Sequence, residues 1–175
     1  VPPERWDLFH EMLLTDELSR AGSGGLVWNL LGGFGIGCPP LVKFGKKELV
    51  DRLLPGILAG DKRICLAITE PDAGSDVANL GCEAKLTPDG KHYIVNGEKK
   101  WIGNGSMGGI TVVWARSDED GAVHGFVVPQ ESEGYTGTTM KAKLALRAIH
   151  QAEITLENVF VPTENVLPHA KSFRD

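Results

Sequence analysis

Cys65-Leu66-Ala67-Ile68-Thr69-Glu70-Pro71-Asp72-Ala73-Gly74-Ser75-Asp76 is the stretch on which the reading of this chain turns. An apolar, strand-like run ends at Thr69, and a Pro/Gly/Ser/Asp turn follows at once. Turns of this composition expose backbone amides, and Gly74-Ser75 adds a hydroxyl, the equipment of a small anion site. Thr69 closes a strand expected to be buried, so its hydroxyl is expected to need a partner. A flat apolar wall followed by polar anchors suits a ligand with a planar apolar part and an anionic part.

Downstream of this stretch the pattern alternates with the period of strands. Residues 64–69 and 82–86 read as strands, and three hairpin signals follow. Pro88-Asp89-Gly90 is expected to join residues 83–86 to 92–95, and Asn96-Gly97 to join that run to residues 98–102. Asp120-Gly121 is expected to join residues 110–115 to 123–128, with further strand around 138–146 and 152–156. Upstream the pattern is helical. Residues 4–20 carry Trp6, Phe9, Leu13, Leu14 and Leu18 at helical spacing. Residues 22–38 are rich in glycine but interleaved with Leu26, Trp28, Leu31 and Phe34. Each interior glycine costs about 1 kcal/mol of helix propensity, so a helix there is expected to be buried, and Pro39-Pro40 is expected to end it. A further helix is expected from Lys46 to about Leu58, broken or kinked at Pro55. The fold class is therefore α+β: N-terminal helices followed by an antiparallel meander closing into a small β-barrel or sandwich.

Composition narrows function. At 175 residues and 42% hydrophobic the chain can bury a real core. The net charge of -5 and the scattered basic residues argue against nucleic acid as a partner. Cys38, Cys65 and Cys82 lack C-x-x-C spacing, and an odd count fits reduced thiols in an intracellular protein. No apolar run is expected to reach the length of a membrane span. Val1-Pro2-Pro3 has no signal-peptide character, so the protein is not expected to be secreted. The missing initiator Met fits a segment of something longer.

Other motifs are weak. Gly103-Asn104-Gly105-Ser106-Met107-Gly108 matches G-x-G-x-x-G, but that motif needs a helix behind it, and residues 110–115 read as a strand. It reads as a glycine-rich connection. The five histidines are spread without metal-ligand spacing, so no metal site is expected, and no G-x-S-x-G elbow offers a nucleophilic serine. Trp101, at the end of a strand, reads either as core or as an aromatic wall beside a planar ring.

Two segments taken together are familiar. Ala67-Ile68-Thr69-Glu70-Pro71-Asp72-Ala73-Gly74-Ser75-Asp76 and Asn96-Gly97-Glu98-Lys99-Lys100-Trp101-Ile102-Gly103-Asn104-Gly105 resemble the two signatures of the acyl-CoA dehydrogenase family. Ile154-Thr155-Leu156-Glu157-Asn158-Val159-Phe160-Val161-Pro162 resembles the end of that family's middle β-domain. The resemblance implies three parts: residues 1–61 from the end of an N-terminal helical domain, 62–168 a middle β-domain, and 169–175 the start of a linker to a C-terminal helical domain. It implies FAD chemistry, in which an acyl-CoA loses an α-proton to a base and a β-hydride to the flavin, giving a trans-2-enoyl-CoA.

On the same resemblance, Leu66, Ala67, Ile68 and Thr69 line the flavin, joined by Trp101, Ile102 and Gly103 from the second segment. Gly74 and Ser75 approach the FAD pyrophosphate, and Ser75 also approaches the acyl-CoA substrate. The catalytic base is a glutamate of the C-terminal bundle, so none of the present residues is assigned that role and Glu70 is read as structural. Implied partners are the acyl-CoA, an electron-accepting flavoprotein or oxygen, and further copies in a homo-oligomer. The implied compartment is the cytoplasm or the mitochondrial or peroxisomal matrix. The family usually has threonine where this chain has Gly103, and an aromatic is common where it has Leu66. An oxidase-like relative and a non-catalytic flavin or acyl-CoA binding remnant therefore stand as alternatives.

Overall fold

Alternating burial runs through the second half of the chain and decides which face of each strand meets the core. The computed structural model describes residues 1–170, so the linker expected over 169–175 lies, from 171 onward, outside the described residues. Among the described residues seven strands form one mixed, curled sheet. They are β1 Ile64–Ala67, β2 Glu83–Leu86, β3 His92–Gly103, β4 Ile110–Ser117, β5 Val123–Pro129, β6 Tyr135–Thr139 and β7 Gln151–Pro162. Their order is β1-β4-β2-β3-β7-β6, with β5 also paired to β4. The α+β class is as expected. The sheet departs from a pure antiparallel meander at one place: β1 and β2 both pair with β4 in parallel, through Ala67↔Val113 and Ala84↔Ser117. Two short strands, separated by the loop over residues 68–82, thus share one edge of β4 in tandem.

The turns at Pro88-Asp89-Gly90 and Asp120-Gly121 form as expected, with Gly90 and Gly121 in the left-handed region. The Asn96-Gly97 turn does not. β3 runs straight through it, pairing with β2 over residues 93–96 on one edge and with β7 along its whole length on the other. Gly97 has φ 141°, and a Cβ there would lie 2.8 Å from the Cys82 Cα, so glycine is required by the close approach of the chain beside it. Asn96 meanwhile accepts the Asn158 amide (2.7 Å) at a bulge in β7. The strand expected over 138–146 is shorter and earlier, Tyr135–Thr139, and residues 141–148 are largely exposed irregular chain.

The helices are α1 Leu8–Ser19, α2 Gly24–Leu31, α3 Cys38–Phe44 and α4 Lys47–Leu58, with a short 3-10 turn, Pro3–Arg5, before α1. Asp7 caps α1 and Ser23 caps α2. Pro39-Pro40 does not end the glycine-rich helix. A π-helical stretch, Gly32–Gly37, runs from α2 into α3 without a break, the Cys38 amide donating to the Gly33 carbonyl. The prolines fall in the first turn of α3, where their missing N–H groups leave bonds to the preceding turn unmade without ending the helix. Pro55 lies inside α4 without breaking it.

The continuous run Gly24–Phe44 is 21 residues with mean hydropathy 1.3, enough by length and composition alone to cross a membrane, against the expectation of no such run. It is also less buried than expected, since Leu26, Trp28, Leu30 and Phe34 are exposed, as are Phe9 and Met12 of α1. Its small residues, however, pack on the sheet. A Cβ on Gly33 would stand 3.2 Å from the Ile64 carbonyl, and one on Gly37 would stand 3.0 Å from the Cys65 backbone. That seam, continued by Leu41, Leu49 and Ile57 against Ile64, Val112 and Val127, is one core. The other lies within the sheet, around Ala67, Val95, Val113, Phe126 and Ile154.

Candidate functional site

Beyond Ala67 the chain leaves the β1–β4 ladder, and a buried charge takes over its placement. Lys99 shares strand parity with Val95, which points it inward, and it is only 1% exposed. Its ammonium donates to the Ile68 carbonyl (3.0 Å), Glu70 Oε1 (2.7 Å) and the Trp114 carbonyl (2.6 Å), so all three protons are used. Glu70, 8% exposed, also accepts the Gly81 amide (2.6 Å) and the Cys82 amide (3.0 Å). The Lys100 amide donates to the Thr69 carbonyl (2.8 Å). The two segments quoted from the sequence therefore lie side by side.

One residue later the ladder slips. The β3–β7 register shifts between Lys99 and Ile102, and Trp101 sits there with φ 64°. A left-handed non-glycine residue costs about 1–3 kcal/mol and recurs at functional sites. The slip turns Ile102 into the sheet core and leaves the Trp101 ring 50% exposed, which excludes the reading of Trp101 as ordinary core.

Beside that ring lies a pocket of about 130 Å³ between sheet and helix. Leu66, Trp101, Gly103, Asn104 and Ile149 line it from the β side, and Trp28, Asn29, Gly32 and Ile36 from the helical side. Asn29 Oδ1 is buried and unpartnered among the described residues. Such an orphan costs about 1–3 kcal/mol, which a ligand can recover. A second pocket, about 250 Å³, shares Asn29 and Asn104 and is flanked by Lys62 and Arg63. Behind the pockets, Gln130 Nε2 donates to the Asn104 carbonyl (2.9 Å) and the Tyr135 hydroxyl to the Gly105 carbonyl (2.7 Å), fixing the glycine-rich connection.

Of the residues named from sequence, Leu66, Trp101 and Gly103 come together in the first pocket. Ile68 and Thr69 are half-buried beside them, so the Thr69 hydroxyl does not need the buried partner expected of it. Ala67 and Ile102 turn their side chains into the core, leaving only backbone for a ligand. Gly74 and Ser75 are exposed, in the turn before a 3-10 segment, Val77–Asn79. Sequence reasoning missed Trp28, Asn29, Lys99 and Asn104. Strand parity was the available signal for Lys99, an inward charge that had to find a partner.

Burial pushes Cys65 and Cys82 up to about 11 and raises Cys38 as well, which disfavours the nucleophilic thiolate. No carboxylate or histidine lines the first pocket. The arrangement can hold a planar group and orient it, but offers it no proton acceptor.

Comparison with known proteins points to one family. A family model described as the acyl-CoA dehydrogenase middle domain matches residues 65–159. The chain is 43% identical over 171 residues to acyl-CoA dehydrogenase apdG of Emericella nidulans, covering 95% of this chain and 39% of that protein. The crystal structure of an acyl-CoA dehydrogenase from Bacillus anthracis complexed with FAD superposes with TM-score 0.84 at 32% identity, covering 95% of this chain and 29% of that one. A glutaryl-CoA dehydrogenase from Mycobacterium smegmatis gives 0.81 at 37% identity, covering 86% of this chain and 38% of that one. The chain thus spans between 27% and 39% of the length of the curated relatives it matches.

Proposed function

This chain belongs to the acyl-CoA dehydrogenase family, and from that premise we propose that it supplies the flavin- and thioester-contacting β-domain of an FAD-dependent enzyme that oxidises an acyl-CoA to the trans-2-enoyl-CoA. Residues 1–61 then belong to the N-terminal helical domain, 62–168 to the middle β-domain, and 169–175 to the linker toward a C-terminal helical domain. The observation that carries the reading is the pocket that joins Leu66, Trp101 and Gly103, with Asn29 Oδ1 left unpaired in its wall.

The residues present fit a flavin. Leu66 and Trp101 give flat apolar surface, Gly103 leaves room at the end of β3, and the turn at 74–75 offers amides and the Ser75 hydroxyl to phosphate. Bound there, FAD would supply hydride acceptance. Leu66, Ile68 and Thr69 would form one side of the seat, and Trp101 and Gly103 the other, with the backbone at Ala67 and Ile102. Ser75 would also meet the acyl-CoA.

Glu70 is no base in this scheme. Its carboxylate is occupied by two amides and the Lys99 ammonium. The base would come from a glutamate of the C-terminal bundle, so the 175 residues alone are expected to turn over no acyl-CoA. The full enzyme would be a homo-oligomer passing electrons to an acceptor flavoprotein. Gly103 favours a second reading, an oxidase that passes them to oxygen. The test is to purify the full-length protein, record its flavin spectrum, and add acyl-CoAs without oxygen. Bleaching by substrate supports the reading, and a protein that takes up no FAD overturns it. Comparing an artificial acceptor with oxygen then separates dehydrogenase from oxidase.

A further inference from the structure

We infer that the buried Lys99–Glu70 pair is a positioning device: one ammonium sets the register between residues 68–70 and 99–101, and so sets flavin affinity separately from its contribution to folding. The inference rests on the flavin reading above.

Neither sheet ladder can do this work. β1 pairs with β4 only as far as Ala67↔Val113, and β3 slips against β7 just after Lys99. Between those ends, the two halves of the seat are tied by the Lys100 amide on the Thr69 carbonyl and by Lys99. Lys99 Nζ reaches oxygens on two neighbouring stretches, Ile68 and Glu70 on one and Trp114 of β4 on the other. Glu70 carries the tie onward to the amides of Gly81 and Cys82 at the entry to β2.

Stability does not explain such a node, because apolar side chains of similar volume often hold a core as well as a buried ion pair or better. Direction does. Three N–H vectors aimed at three oxygens fix where the Ile68 and Thr69 backbone stands relative to Trp101, to a tolerance that apolar packing does not enforce. Neither side chain faces the pocket, so both are positioning residues and not catalytic ones.

The test uses the full-length protein and the variants Lys99→Met, Glu70→Gln and the double variant. Urea unfolding of the FAD-free protein reads stability. Tryptophan quenching on FAD titration reads affinity, and visible circular dichroism reads the seating of the ring. Lys99→Met leaves a buried carboxylate unpaired and should be the least stable, and the double variant should regain much of that loss. FAD affinity should fall at least tenfold in Lys99→Met and stay low in the double variant, with an altered dichroic band in both. Affinity that recovers in step with stability, or a wild-type band in the double variant, overturns the inference. If Lys99→Met does not fold, the double variant decides alone. A wild-type protein that binds no FAD overturns the flavin reading itself, a different and separately visible result.

Discussion

Replacing Gly37 with alanine tests the seam on which the pocket's helical wall depends. Gly37 has φ -77°, so alanine meets no backbone strain there. The obstacle is space, because the new Cβ would stand 3.0 Å from both Cα and N of Cys65 and 3.1 Å from its carbonyl carbon. Comfortable contact lies near about 3.5–4.0 Å. The neighbour is strand backbone pinned to β4 through Cys65↔Thr111 and Leu66↔Val112, so it has no rotamer with which to yield. Overpacking of this kind costs about 1–3 kcal/mol, while alanine gains about 1 kcal/mol of helix propensity over glycine. Gly35→Ala in the same π-helical stretch separates the two effects, since nothing lies within 4 Å of a Cβ there. Both variants carry the propensity gain, so the gap between them isolates the steric term. In urea unfolding of the full-length protein Gly37→Ala should be less stable than Gly35→Ala by about 1–3 kcal/mol. Equal midpoints, or Gly37→Ala the more stable, would refute the close packing of this helix on β1.

Gly103→Thr should be accepted, since its Cβ would meet only Ile149 Cγ2 at 3.7 Å, with stability changed by at most about 0.5 kcal/mol. Its hydroxyl should tighten FAD roughly two- to tenfold and lower oxygen use relative to an artificial acceptor; an unchanged affinity and ratio would remove the case for Gly103 as a determinant. Asp89 is held below its ordinary value first by the Thr87 hydroxyl, and Asp120 first by the Ala122 amide. Carboxyls depressed in the folded state supply stability above the unfolded value of about 3.9 and lose it as pH falls through the folded value. Denaturation midpoints should therefore drop below about pH 4, with a shallower drop in Asp89→Asn, and an unchanged acid limb in that variant would count against the assignment. Cys65 and Cys82, pushed up to about 11 by burial, should resist a maleimide in the native protein and react once urea unfolds it. Rapid labelling of either without denaturant would contradict their burial.

Much of the fold was legible because local rules governed it. Asp120-Gly121 made the turn that its left-handed glycine favours, and helical spacing over residues 4–20 and 46–58 became α1 and α4. The errors came where a contact distant in sequence decided a local conformation. Asn96-Gly97 is a strong turn signal, yet Gly97 is glycine because Cys82 passes beside it. Pro39-Pro40 reads as a stop, yet the helix continues through the stretch Gly32–Gly37, whose glycines pack on the backbone of Ile64 and Cys65.

The candidate site divides the same way. The residues 65–76 and 96–105, taken alone, carried the resemblance that pointed to the family. Their turn chemistry and apolar run, properties of neighbours in the chain, gave the expectation of a site with a flat wall and polar anchors. Only the tertiary structure decided which of those residues face the pocket. The slip at Trp101 turns its ring out and Ile102 in, and strand pleating sends Leu66 to the helices and Ala67 to the core. It also brought together residues that no local pattern connects: Asn29 with Leu66 and Trp101 in the pocket wall, and Lys99 with Glu70 across 29 residues of chain. A buried charge must find its partner wherever the fold brings one within reach, and neighbours in the chain carry no record of where that will be.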